Sequence, residues 1–148
     1  MTRKIKSAIT PTERCICHEL RRLTRLVTAH YDHILAPSGL RVTQFSLLAQ
    51  IDAFGSVTVS KLARLMASDS TTVLRNLNSL IRHNLVKVAV GADKRERIIA
   101  LTPKGRALLQ GAFSDWRQAQ ESFRNIVGTE GTKDLLRAIK RTAPAFGA

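Results

Sequence analysis

Val59-Ser60-Lys61-Leu62-Ala63-Arg64-Leu65-Met66-Ala67-Ser68-Asp69-Ser70-Thr71-Thr72-Val73-Leu74-Arg75-Asn76-Leu77-Asn78-Ser79-Leu80-Ile81-Arg82-His83 is the stretch whose reading decides the fold. In its first part the apolar residues Val59, Leu62, Ala63, Leu65 and Met66 bury one side of a short helix. The chain then passes Ala67-Ser68 and restarts at Asp69, a good N-cap for a second helix over residues 70 to 83. Two short helices joined by a tight turn are the core of a helix-turn-helix.

Placed at about 100° per residue, the second helix separates into two faces. Val73, Leu74, Leu77, Leu80 and Ile81 share one side; Thr72, Arg75, Asn76 and Ser79 share the other, with Thr71 and Arg82 on the flank. These polar residues suit a major groove. Arg forks onto guanine O6 and N7, Asn pairs with adenine N6 and N7, and the hydroxyls of Ser70, Thr71, Thr72 and Ser79 reach phosphates or base edges. An ordinary solvated helix face is the plain alternative. Such faces more often carry Glu and Lys, and this one has neither.

Downstream of Asn84 the rhythm changes. Leu85, Val86, Val88 and Val90, then Ile98, Ile99 and Leu101, are aliphatic runs separated by Gly91-Ala92-Asp93-Lys94-Arg95, which predicts a β-hairpin with a basic tip. Lys94, Arg95 and Arg97 are its candidate DNA contacts, suited to phosphates or a minor groove, and the alternative is a solvated turn. Asp93 is placed to orient the guanidinium of Arg95 or Arg97 by a bidentate pair. Thr102-Pro103 then opens a helix that Gly128 stops after Val127, and a last helix over roughly residues 131 to 141 ends before Pro144.

Upstream, residues 43 to 51 make a short apolar helix closed by Gly55. Before it, Thr10-Pro11-Thr12-Glu13 reads as a capping box that starts a helix with apolar residues at Leu20, Leu23, Val27 and Ile34, ending before Pro37-Ser38-Gly39. A helix of about 25 residues overhangs so small a core. Part of its stripe, with Leu135, Leu136 and Ile139, is therefore expected to pack on a second subunit. The expected fold is mainly α with a small β-hairpin wing: a winged helix-turn-helix (residues 40–102), N- and C-terminal dimerisation helices (11–36 and 103–148) and a basic N-terminal arm (1–10).

Charge agrees with a polyanionic partner. Twenty-four Lys and Arg against 11 Asp and Glu leave +13 over 148 residues. Residues 61 to 106 hold ten basic and three acidic residues, whereas residues 107 to 148 hold six and four, so the excess is focused on the helix-turn-helix and hairpin. No stretch approaches the roughly 18 apolar residues that cross a bilayer, and MTRKIKSAITPTER has no apolar run after its charges, so a cytoplasmic location is expected.

Leu85-Val86-Lys87, the wing Asp93-Lys94-Arg95-Glu96-Arg97 and its continuation Ile98-Ile99-Ala100-Leu101-Thr102-Pro103-Lys104-Gly105, preceded by Val59-Ser60-Lys61-Leu62-Ala63 and Ser70-Thr71-Thr72-Val73-Leu74-Arg75-Asn76-Leu77, together resemble the MarR family of transcriptional regulators over about residues 12 to 142. The Asp-x-Arg wing followed by Leu-Thr-Pro-Lys-Gly is the most specific part. The resemblance implies a homodimer clasped by its terminal helices, with two winged lobes on a pseudo-palindromic double-stranded DNA operator. Ser70, Thr71, Thr72, Arg75, Asn76 and Arg95 match its DNA contacts. It further implies a repressor released when a small aromatic or acidic ligand enters a cleft between dimer and DNA lobes. Trp116, Tyr31, Phe45 and His30 are candidates for lining such a cleft, with plain core as the alternative.

A peroxide-sensing branch of the same family holds a reactive cysteine near the start of the first helix with tyrosines. Cys17 and Tyr31 match its spacing, while Val42 stands where a second tyrosine belongs, and an inert thiol is the alternative. Cys15 and Cys17 lie about 200° apart if both are helical, which argues against a bridge between them. No metal site is expected: Cys15 and His18 share a face, as do His30 and His33, but the pairs are about 18 Å apart along the helix. No cofactor and no enzymatic activity are expected either, since the chain has no nucleotide-binding glycine loop, no Gly-x-Ser-x-Gly and no His-Glu-x-x-His. The rival from another class is an architectural DNA-binding protein with little sequence preference.

Overall fold

The computed structural model describes residues 15–147. Helix α1 spans Ile16–Leu35, α2 Val42–Phe54, α3 Val59–Leu65 and α4 Ser70–Arg82. Strand β1 (Ser56–Thr58) precedes α3, and β2 (Val86–Val90) and β3 (Arg97–Leu101) follow α4. The long α5 (Pro103–Val127) and α6 (Thr129–Thr142) complete the chain.

Helix α1 starts later than the Pro11 start expected: Cys15 is its N-cap residue, extended at φ −65° and ψ 113°. Thr10, Pro11, Thr12 and Glu13, like the arm of residues 1–10, lie outside the described residues. At its other end Ala36–Ser38 form a single 3-10 turn, closed by Gly39 at φ +73°. The turn delivers α2 to the side of α1, where the Val42 N–H donates to Asp32 Oδ1 at 2.7 Å and supplies one of the partners that a helix start lacks. Helix α2 reads as apolar because it is central: Phe45, Leu47, Leu48 and Ile51 are all buried.

The expected hairpin is present as β2 and β3, and β1 adds a third strand that the sequence did not announce. The wing is thus a three-stranded antiparallel sheet in the order β1-β3-β2, with Val57 of β1 opposite Ile99 of β3 and both buried. Three residues are too few to display a period-two pattern, so β1 exists only because β3 is there to pair with it. The core fills the space between this sheet and α2 to α5, with Leu48, Ile51, Leu62, Leu77 and Ile99 fully enclosed. Within α4 the buried set is Val73, Leu77 and Leu80. Leu74 and Ile81, expected beside them, are 39% and 36% exposed, because they form a second stripe along the edge of the lobe.

The Leu-Thr-Pro-Lys-Gly string welds α5 to the lobe. Leu101 is the buried end of β3, and the Thr102 hydroxyl caps α5 by accepting the Gly105 N–H at 3.0 Å while lying 2.7 Å from the Asn84 carbonyl oxygen, to which it donates. Pro103 occupies the first helical position, where its missing N–H is harmless. Gly105 is there because α5 crosses directly over Leu85: a Cβ at Gly105 would sit 1.9 Å from the Leu85 carbonyl oxygen.

Candidate nucleic-acid interface

Helix α4 is fixed at both ends. At its start Asp69 Oδ1 accepts the Thr72 N–H at 2.8 Å and Oδ2 accepts the Thr72 hydroxyl at 2.8 Å. These bonds, the backbone one foremost, hold the Asp69 carboxyl below the usual aspartate range. Thr72 was expected only as a DNA contact; here its hydroxyl proton is engaged by the cap, which leaves it lone pairs alone to offer a base donor. At the other end the Lys104 ammonium donates to the His83 carbonyl at 3.0 Å, a cation at the C-terminal end of a helix dipole. The sequence reading gave Lys104 no such role. Its signal lies in the string itself, because a helix begun at Pro103 beside Asn84 puts its second residue next to the end of α4.

Between these anchors Ser70 and Thr71 in the first turn, then Arg75 and Asn76, are exposed, and Ser79 is half-buried. Arg75 takes part in none of the ion pairs among the described residues. The face contains no carboxylate within α4. It therefore offers a forked cation, an amide and hydroxyls on a rigid helix.

At the wing the Gly91 N–H donates to the Glu96 carbonyl at 3.1 Å and the Glu96 N–H to the Asp93 carbonyl at 2.8 Å. The Asp93 carboxylate accepts the backbone N–H of Arg95 at 2.9 Å, so it orders the turn itself instead of aiming a guanidinium as expected. Arg97 is the first residue of β3, opposite Val90, and its guanidinium donates to the Lys94 carbonyl at 3.0 Å. That bond braces the turn from inside. Lys94 and Arg95 are left as the exposed cations of the tip.

The remaining candidates are distributed elsewhere. Tyr31 is buried, its hydroxyl donating to Gln120 Oε1 of α5 at 3.1 Å; burial pushes its phenol up, opposed by the charge of Arg124. Cys17 is exposed on the same helix, 14 residues earlier and about 21 Å away along the axis, so the two do not meet within one chain. Cys15 is exposed and outside the helix, which removes the helical geometry on which its separation from Cys17 was reckoned. Phe45, Phe113 and Trp116 form an aromatic cluster, Phe45 and Trp116 stacked at 5.6 Å between centroids, and belong to the core. His30 keeps a buried Nε2 with no partner among the described residues. Those residues contain no cluster of three or more His, Cys, Asp or Glu suited to a metal, and no helix long and apolar enough to cross a membrane.

Residues 38–96 match the family model described as MarR family. The chain is similar to the transcriptional regulator MosR of M. tuberculosis, solved in complex with DNA, at 39% identity over 91% of this chain and 100% of that one, with a TM-score of 0.78. It shares 17% identity and a TM-score of 0.77 with a MarR variant from E. coli solved with operator DNA, over 85% of this chain and 91% of that one, a likeness of fold. An uncharacterized helix-turn-helix transcriptional regulator of Bacillus subtilis, YwoH, is 28% identical over 89 residues, 60% of this chain; the matched stretch spans only 65% of that relative's length. With a capped α4, a three-stranded basic wing and long flanking helices all in place, the chain belongs to the MarR family of winged helix-turn-helix transcriptional regulators, DNA-binding proteins and not enzymes.

Proposed function

We propose that the protein is a homodimeric repressor that reads a pseudo-palindromic operator and lets go of it when a small aromatic or acidic ligand binds. The observation that carries this reading is the outward face of α4, where Arg75 and Asn76 stand exposed on a helix capped at both ends, beside a wing whose tip cations are Lys94 and Arg95. In this reading Arg75 and Asn76 take base edges in the major groove. Ser70, Thr71, Thr72 and Ser79 position the helix on phosphates, Lys94 and Arg95 hold backbone or a narrow minor groove, and Arg97 keeps the turn in shape. The dimer is supported by Ile16, Leu20, Leu23 and Leu26 on α1 and Leu136 and Ile139 on α6, all exposed apolar residues on helices that extend past the lobe. A place for the ligand is supported by a cavity of about 290 Å³ whose lining joins Ser79 of α4 and its C-cap His83 to Lys104 and Leu108 of α5. Lys104 would supply the cation for an acid. The protein works in the cytoplasm, where its operator is.

The test begins by finding which genomic fragments the protein enriches and titrating the best of them against a random duplex over a salt series. Arg75→Ala is expected to lose about 1 to 3 kcal/mol on the operator and to relax preference at particular base pairs. Arg95→Ala and Lys94→Ala should weaken both duplexes alike and lower the salt slope by about one per lost phosphate contact. Equal affinity of the wild type for operator and random DNA would establish the architectural alternative instead. An Arg75→Ala protein with an unchanged operator-to-random ratio would transfer sequence reading to the wing.

A second reading is favoured by one observation: both cysteines are exposed at the start of α1. In it Cys17 is an oxidant sensor, with Tyr31 supplied across the dimer, since the two are too far apart within a chain.

A further inference from the structure

The ladder of the wing identifies which backbone groups of β2 face away from the sheet. Gly91 pairs with Glu96, and Leu85 with Thr102, through the Gly91 N–H to Glu96 carbonyl and Thr102 N–H to Leu85 carbonyl bonds, each 3.1 Å. Along the antiparallel register between them (Lys87 with Ala100, Ala89 with Ile98), hydrogen-bonded and non-bonded pairs alternate. Lys87 and Ala89 therefore turn their N–H and C=O groups toward β3. Val86, Val88 and Val90 turn theirs outward. Among the described residues β3 is the only strand beside β2, and four of the five β2 residues are exposed, with Val88 at 41% and Val90 at 58%. The opposite edge of the sheet is only three residues long and runs straight into α3, so it offers little to pair with. The β2 edge is longer, rich in β-branched residues and unblocked by proline.

Charge decides what fits there. Residues 82 to 97 carry Arg82, Lys87, Lys94, Arg95 and Arg97 against Asp93 and Glu96. A second copy of the wing would bring the same cations into contact, and edge lysines act against such self-pairing. A polyphosphate would meet outward carbonyls as well as N–H groups, which an extended peptide satisfies and a phosphate chain does not. We propose that the outer edge of β2 is a docking edge for an acidic, extended segment of another protein, which adds a fourth strand along Val88 and Val90 and sets its carboxylates against the wing cations. The proposal does not depend on which operator or which ligand the protein takes. It gives the regulator a protein partner that shares the wing with DNA.

The probe is an acetylated, amidated peptide of seven residues alternating glutamate and valine, with the lysine-valine peptide as its charge-reversed control, each titrated by calorimetry into the full-length protein. The acidic peptide is expected to bind, at least tenfold more weakly in high salt, and the lysine peptide not to bind. On binding, amide hydrogen exchange of wild-type protein should slow at Val88 and Val90. Val88→Pro removes one outward N–H and leaves the β2–β3 ladder bonded, so it should retain the wild-type circular dichroism and weaken the acidic peptide at least tenfold. The proposal is overturned if the acidic peptide does not bind, or if protection appears on α4 and not on β2, which would mark simple occupation of the DNA-reading face. It is equally overturned if folded Val88→Pro binds as wild type does, or if Val88→Pro loses, in light scattering, a self-association that the wild type shows.

Discussion

Asp69 and Thr72 illustrate how one residue serves two ends. The carboxylate that caps α4 also settles which proton the neighbouring hydroxyl can still give. Because hydrogen bonds in the folded state hold the Asp69 carboxyl below its unfolded value, the cap contributes stability that is fully present above the ordinary aspartate pKa and is lost as pH falls through the lowered one. Thermal unfolding followed from neutral pH down to strong acid should show Asp69→Asn converging on the wild type only at the acid end. A constant difference at every pH would mean that the charge of Asp69 is immaterial to the cap. Asp69 was legible as a cap from its place before Ser70; the bond from the Thr72 hydroxyl was not, since a side-chain rotamer leaves no periodic trace.

At the scale of elements, α4, β2 and α5 meet in a close junction. Three segments meet where Thr102 bonds Asn84, Lys104 bonds His83 and α5 passes over Leu85. Gly105→Ala places a methyl group against a backbone carbonyl that cannot swing aside, so it should destabilise the fold by about 1 to 3 kcal/mol, measured by denaturant unfolding. DNA affinity at low temperature should fall with it, since the end of α4 rests on that junction. Wild-type stability in Gly105→Ala would show that α5 can lift off the lobe without loss. The helices themselves were readable from caps and punctuation: Asp69, Thr102-Pro103, Gly55 and Gly128 each end or begin an element where the sequence places them. The third strand was not, because Ser56-Val57-Thr58 acquires its strand character from Ile99 across the sheet.

For the whole molecule the decisive question is what covers the apolar residues that one chain leaves open. Leu20→Glu on α1 and Leu136→Glu on α6 are expected to shift the protein from dimer to monomer in light scattering at micromolar concentration, and to weaken binding to a two-half-site operator far more than to a single half-site. A wild-type monomer that binds a palindrome cooperatively would contradict the proposed clasp. The same ends of α1 carry the cysteines. Treated with an organic hydroperoxide, wild type and Cys15→Ser should release DNA and Cys17→Ser should stay bound if Cys17 is the sensor. Retention by the wild type at peroxide levels that slowly oxidise free thiols would leave the ligand as the trigger.

The sequence by itself determined the order of the helices, α4 with its polar face, the β2–β3 hairpin with its basic tip, and the family. Each rests on local information: helical and strand periods, capping residues, and charge counted along the chain. Only the tertiary structure decided that the wing has three strands, that Asp93 orders a turn, that Lys104 holds the end of α4, and that Leu74 and Ile81 sit at a rim. Those outcomes depend on which atoms far apart in the chain come within bonding distance, and a single chain's periodicity carries no record of that.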